Sequence, residues 1–167
     1  EAVDQCVSEA HPRWLDAVLL RARAQRRVEA FDAAWRGLEA ALATAHAPAT
    51  RAALLAARAA VDVARGTPAT ALEACAQGLL ALSSRGGPDD SPALRGRFEL
   101  RAALAEEASG DPARVLARLE HAAEFAAKAG DARLEASATL ALAARRARAE
   151  RSASTSAAIA RSTGSPS

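Results

Sequence analysis

The chain has 167 residues, half of them hydrophobic but only 3% aromatic, and a formal net charge of +2. That length fits one ordinary domain. The near-balanced charge argues against a nucleic-acid binder, and no 18-residue apolar run is free of charge, so no membrane-spanning helix is expected. Alanine and leucine supply most of the apolar content, while β-branched and aromatic residues are scarce, which favours helices packed through small side chains.

The N-terminus shows no basic stretch followed by an apolar core, so no secretory signal is read there and a cytoplasmic location is expected. Methionine is absent, even at position 1, which reads as a fragment, a processed product or an excised domain. The 21 arginines against the single Lys128 fit a GC-rich genome better than an arginine-specific function. Cys6 and Cys75 lack disulfide-framework spacing, and Cys75 is expected to be a buried, reduced thiol.

Turn signals divide the chain: His11-Pro12, Pro48 to Thr50, Gly66-Thr67-Pro68, Gly86-Gly87-Pro88 through Ser91-Pro92, Gly110-Asp111-Pro112 and Gly130-Asp131. Between them the apolar residues follow helical spacing, predicting helices over 12–28, 31–45, 50–65, 68–84, 92–109, 112–129 and 132–150. Residues 1–11 are left as an N-terminal extension and 12–151 form the helical domain. The first junction, Val28 to Phe31, has neither glycine nor proline, so helices one and two can also be read as one bent helix. At the later junctions, glycine suits a helix stop, Thr67, Asp111 and Ser91 suit helix caps, and the following prolines suit a first turn. The small, polar residues 152–167 are expected to form a disordered Ser/Ala-rich tail, because they bury too little surface to offset the entropy of ordering.

Short connections imply antiparallel hairpins. The starts at Pro68 and Pro112 lie 44 residues apart, and Phe31 lies 37 before Pro68. First helices share a large apolar residue, two intervening residues and Arg-Ala: Val18 to Arg21-Ala22, Leu55 to Arg58-Ala59 and Phe98 to Arg101-Ala102. A period near 40 predicts an all-α architecture, an α-solenoid of about three antiparallel helix hairpins plus a terminal helix. A solenoid would set Arg21, Arg58 and Arg101 in a row. They would either form a structural ladder with glutamates such as Glu39, Glu73 or Glu120, or hold a partner's carboxylates.

Catalytic chemistry finds little support. His11, His46 and His121 have no metal-ligand spacing, and Cys6 with His11 is too small a ligand set. Gly86-Gly87 lacks a phosphate-loop lysine, and Glu106-Glu107 diverge around a helix. No catalytic residue, cofactor or metal is assigned, and the chain is expected not to be an enzyme. Trp14 and Trp35, with Phe31 between them, read as core fill at the N-terminal end, the alternative being an exposed anchor. Arg145, Arg146, Arg148 and Arg151 gather where the predicted last helix ends, as its dipole favours.

Phe31-Asp32-Ala33-Ala34 resembles the turn and second-helix start of the tetratricopeptide family. Gly66 and Gly110-Asp111 match that family's glycine turn, Ala34 and Ala71 its second-helix alanine, and Ala41-Leu42 and Ala122-Ala123 its later small positions. Pro68 and Pro112 replace the usual aromatic, Val115 departs from the alanine, and the first-helix tryptophan and tyrosine are absent. The resemblance spans roughly 12–150. It implies a non-catalytic protein-protein interaction module, the scaffolding or sensory part of a larger bacterial regulatory or signalling protein. The partner would be a protein or peptide, acidic ones included, or another domain of the same parent chain, with no membrane. If the family's geometry holds, first-helix faces line a groove, making Arg23, Arg26, Arg27, Arg97 and Glu107 the contacts. A purely structural helical bundle is the alternative, with a nucleic-acid-binding domain behind it.

Overall fold

The computed structural model describes residues 13–83, 91–107 and 111–163, with side chains to 155. The N-terminal extension with Cys6 and His11, the Gly86-Gly87-Pro88 turn, Gly110 and the last four residues lie outside the described residues. Seven helices follow one another: α1 (Trp14–Arg27), α2 (Phe31–Thr44), α3 (Pro48–Arg65), α4 (Pro68–Ser83), α5 (Pro92–Glu106), α6 (Pro112–Ala129) and α7 (Ala132–Thr163). There is no strand among the described residues, and the fold is the expected all-α solenoid of paired helices.

Each helix packs on the next, and contacts are most extensive within the α3–α4 and α5–α6 hairpins. The odd helices also touch in series, α1 on α3, α3 on α5 and α5 on α7. No even helix touches the next even one. The odd layer is therefore the closer-spaced of the two, which bends the stack so that odd helices lie on its inner side.

Proline begins α3, α4, α5 and α6, where an unpartnered N–H is not needed. Asp111 caps α6 by accepting from the N–H groups of Ala113 and Arg114, and Ser91 caps α5 by accepting from that of Leu94. Thr67 has a further use, since its hydroxyl donates to the Asp62 carbonyl at 3.1 Å. Gly66 and Gly130 adopt left-handed φ of 74° and 65°. Each closes its helix with the paired backbone bonds of a Schellman motif.

The undecided first junction is a true break, and it uses the same motif without glycine. Glu29 takes φ 58°, its N–H donates to the carbonyl of Arg26 and that of Ala30 to Gln25. The last helix corrects the sequence reading: α7 continues to Thr163, past the expected end at 150. Nothing between Ala132 and Thr163 is glycine or proline, and extending an existing helix costs far less than starting one. Arg145, Arg146, Arg148 and Arg151 thus lie within α7, not at its end, and the dipole explanation does not apply to them.

The hairpins repeat with a constant register. Pro48 and Pro92 are 44 residues apart, as are Pro68 and Pro112. At that spacing buried positions coincide: Leu54 with Phe98, Ala59 with Ala103, and Asp62 with Glu106. Second helices agree across all three units: Ala34, Ala71 and Val115; Leu38, Cys75 and Leu119; Ala41, Gly78 and Ala122; Ala45, Leu82 and Ala126. Two apolar clusters result, one over α1–α4 and one over α5–α7. Helix α5 serves both, giving Phe98 and Ala102 to the first and Leu100 and Ala103 to the second. Gly78 permits this join, because a Cβ there would sit 2.0 Å from the Phe98 ring.

Candidate functional site

The register decides the arginine row. Arg58 and Arg101 are 43 residues apart, one short of the true repeat, and one residue turns a helix by about 100°. They therefore face different ways. Arg58 turns toward α2: its Nη1 lies 2.8 Å from Glu39 Oε1, its Nε 3.5 Å from Asp62 Oδ2, and its guanidinium 5.4 Å from the centre of the Trp35 ring. The ladder reading holds for this residue. Arg65 joins it, pairing with Asp32 at 2.9 Å and lying 5.7 Å from the same ring. Trp14 is buried and Trp35 half-buried under these cations, as core fill requires.

Asp62 is completely buried, and burial raises its carboxyl above the usual range despite Arg58, Thr67 and Arg65. Its counterpart Glu106 accepts from Arg118 Nε at 2.8 Å and pairs with Arg114 at 2.9 Å. Arg118 also donates to Glu99 at 2.8 Å. Burial alone would lower the Arg118 pKa, but the two carboxylates raise it. Each of the two later hairpins thus carries an internal acid-arginine network.

The equivalents of Arg101 at the true spacing are Ala57 in α3 and Leu20 in α1. They share a face with their neighbours at helical intervals. On α3 this face is Ala53, Ala57, Ala60 and Ala64, a strip flanked by the buried Leu54 and Val61 on one side and Ala52 and Ala59 on the other, with Ala57 packed against the apolar core. On α1 it is Asp16, Leu20, Arg23 and Arg27, with Leu20 68% exposed. On α5 it is Arg97, Arg101 and Leu104. The odd layer thus presents an alanine floor with cationic helices on either side. Arg26, half-buried, lies one residue round from this face of α1, at the place equivalent to Val63 on α3.

Of the five residues predicted from sequence, Arg23, Arg26, Arg27 and Arg97 fall on or beside this one surface. Arg97 is partly neutralised there by Asp131 at 3.1 Å. Glu107 does not join them. It pairs with Arg148 of α7 at 3.4 Å, and both line a cavity of about 160 Å³ with Leu104, Val115 and Leu119. Arg101, the other arginine of the expected row, differs from Arg58. Among the described residues it has no acidic partner, and burial, then the charge of Arg26, lowers its pKa, with Arg97 adding to this against an opposing effect of Cys75. It stays a cation at neutral pH. The 44-residue spacing of the prolines was the signal that separates it from Arg58.

Cys75 is buried, and burial pushes its thiol up to about 12, so it is no thiolate nucleophile at neutral pH. Among the described residues no three His, Cys, Asp or Glu side chains gather as a metal site, and no helix is long and apolar enough to cross a membrane. No family model, curated protein or solved structure matches the chain.

Proposed function

We propose that this chain is a non-catalytic protein-recognition module of tetratricopeptide-like design, with the inner, odd-helix face receiving an acidic protein segment. The observation that supports it is the composition of that face. Leu20 of α1 and the four alanines of α3 offer apolar contact, and α3 lies between α1, with Arg23, Arg26 and Arg27, and α5, with Arg97 and Arg101. Small side chains let a partner backbone come close, and guanidinium groups bind carboxylates in bidentate fashion. In this reading the module is the scaffolding or sensory part of a larger bacterial, cytoplasmic regulatory protein.

The competing reading, a purely structural segment, draws on Arg58 and Arg118, whose charges are satisfied inside the stack. The test compares the chain with its Arg23→Glu/Arg26→Glu/Arg27→Glu variant in affinity capture, after circular dichroism establishes that both are folded. Loss of a partner by the folded variant, confirmed with the purified partner, supports the recognition reading. A partner held equally by both moves its contact away from this face. Absence of any specific partner favours the structural segment.

A further inference from the structure

We propose that the cavity between α5, α6 and α7 is a binding site for a free α-amino acid with an apolar side chain. The side chain fills the cavity, and the two charged groups meet Glu107 and Arg148 at its rim. The site borders the odd-helix face at Leu104 but does not depend on the acidic-segment reading.

The cavity, of about 160 Å³, is lined by Ala103, Leu104, Val115, Leu119, Ala141 and Ala144, and among the described residues its charged lining groups are Glu107 and Arg148. Ala103, Val115 and Leu119 are buried and form the floor. The side chains of Glu107 and Arg148 are 32% and 58% exposed and so stand at the rim. An apolar cavity of about 150 Å³ takes a benzene ring and stays dry when empty. There is room here for one branched alkyl or phenyl group and for little more.

The cavity lies where the repeat departs from itself. Leu134, Ala138 and Leu142 pack α7 into the cluster of α5 and α6 as Leu94, Phe98 and Ala102 pack α5 into the cluster before it, a shift of 40 residues. At that shift Ala141 and Ala144 stand in the places of Arg101 and Leu104. Two long side chains are thus replaced by methyl groups on the wall that α7 contributes.

The rim carries one charge of each sign. Arg148 Nη1 lies 3.4 Å from Glu107 Oε1, a long single contact. The second carboxylate oxygen and the other guanidinium N–H groups can serve a ligand. The pairs Arg97–Asp131 and Arg146–Glu120 are shorter, at 3.1 and 2.9 Å, and neither lines the cavity. A ligand with a carboxylate alone would pair with Arg148 but set its charge against Glu107, and an amine alone would meet the same opposition from Arg148. An α-amino acid carries both charges on one carbon. Its ammonium donates to Glu107, its carboxylate accepts from Arg148, and its side chain leaves that carbon toward the apolar floor. Small-ligand sites have this make-up, a mostly apolar lining with a few polar groups that fix orientation.

The experiment titrates leucine into the full chain and follows the methyl signals of Leu104, Val115 and Leu119 by NMR. Leucine and phenylalanine are expected to shift these signals saturably, and glycine, with no side chain to fill the cavity, is not. Isocaproate and isoamylamine, which are leucine without its ammonium and without its carboxylate, should bind about tenfold more weakly or worse. Arg148→Gln and Glu107→Gln should each weaken leucine by a similar factor, about tenfold, as loss of a charge-assisted hydrogen bond does. Both side chains reach solvent, so the circular dichroism spectrum should be unchanged. Ala144→Leu gives α7 the side chain that α5 has at this place, and should abolish binding by filling the cavity. Arg146→Gln, whose guanidinium pairs with Glu120 outside the cavity, should leave binding intact.

Absence of saturable shifts with both leucine and phenylalanine overturns the site. Leucine held equally by Ala144→Leu overturns it too, because the contact then lies outside the cavity. Isocaproate or isoamylamine binding as tightly as leucine overturns the amino-acid assignment.

Discussion

Gly78 and Phe98 show how much one missing methyl group decides. Alanine would ordinarily improve a helix by about 1 kcal/mol over glycine. Here the added carbon would overlap a ring that is fully buried, with all three nearest atoms belonging to Phe98. Gly78→Ala is therefore expected to destabilise the chain by roughly 1–3 kcal/mol through overpacking, measured as a lower urea midpoint. Glu29 is the opposite case. An exposed L-residue in the left-handed region is strained, and Glu29→Gly should relieve that strain. Stability is expected to rise by up to about 1 kcal/mol once the greater entropy of glycine in the unfolded chain is set against it. Had Glu29 been glycine, the first helix stop would have been plain in the sequence, as those at Gly66 and Gly130 were.

Two aspartates give opposite pH dependence. The backbone N–H of Leu134 and the charge of Arg97 hold Asp131 below the ordinary carboxylate value of 3.8. Its contribution to stability is present above that value and is lost as pH falls through the folded pKa. Burial raises Asp62, so its contribution is complete below 3.8 and is lost as pH rises through the folded pKa. Urea titrations between pH 3 and 7 should show Asp62→Asn gaining on the parent chain as pH rises, and Asp131→Asn gaining as pH falls. Parallel curves would reject both assignments.

At the scale of helices, the prolines made the fold legible. Pro48, Pro68, Pro92 and Pro112 each start a helix where the missing N–H does no harm, and with the glycine stops and the helical spacing of apolar residues they marked six of the seven elements closely. Helix α7 was cut short because serine-rich composition was read as disorder, whereas the backbone ladder continues without a breaker. The surface proposed as the site was half legible. Arg23, Arg26, Arg27 and Arg97 could be placed from helical spacing, but Arg101 needed the register, and a three-residue motif aligned Arg58 with it one residue out. The pairing of Glu107 with Arg148 could not be read, because the sequence does not show that α7 returns past the end of α5. The acid-arginine networks depend on contacts between helices and were legible only in part, through the pairing of Arg58 with Glu39. Their importance can be measured: Arg118→Gln takes a cation away from the buried Glu106, and should cost about 3 kcal/mol, read as a lower thermal midpoint.

For the molecule as a whole, a stack held by neighbour contacts need not unfold in one step. Helix α5 joins the two apolar clusters, so they are not independent halves. The first hairpin has less to hold it, since among the described residues α1 lies at one end of the odd layer and rests on α2 and α3 only. Hydrogen exchange should therefore be slowest in α3 and α5 and faster in α1.

The tryptophans make that difference optically visible. The chain has no tyrosine, and both tryptophans belong to the first hairpin, Trp14 in its core and Trp35 against the guanidinium groups of α3. Intrinsic fluorescence consequently watches one end of the stack, while far-ultraviolet dichroism averages over seven helices. A fluorescence transition at lower denaturant than the dichroism transition would reveal the first hairpin peeling away by itself. Coincident curves would mean that α5 couples the whole array tightly enough for its end to report on its centre.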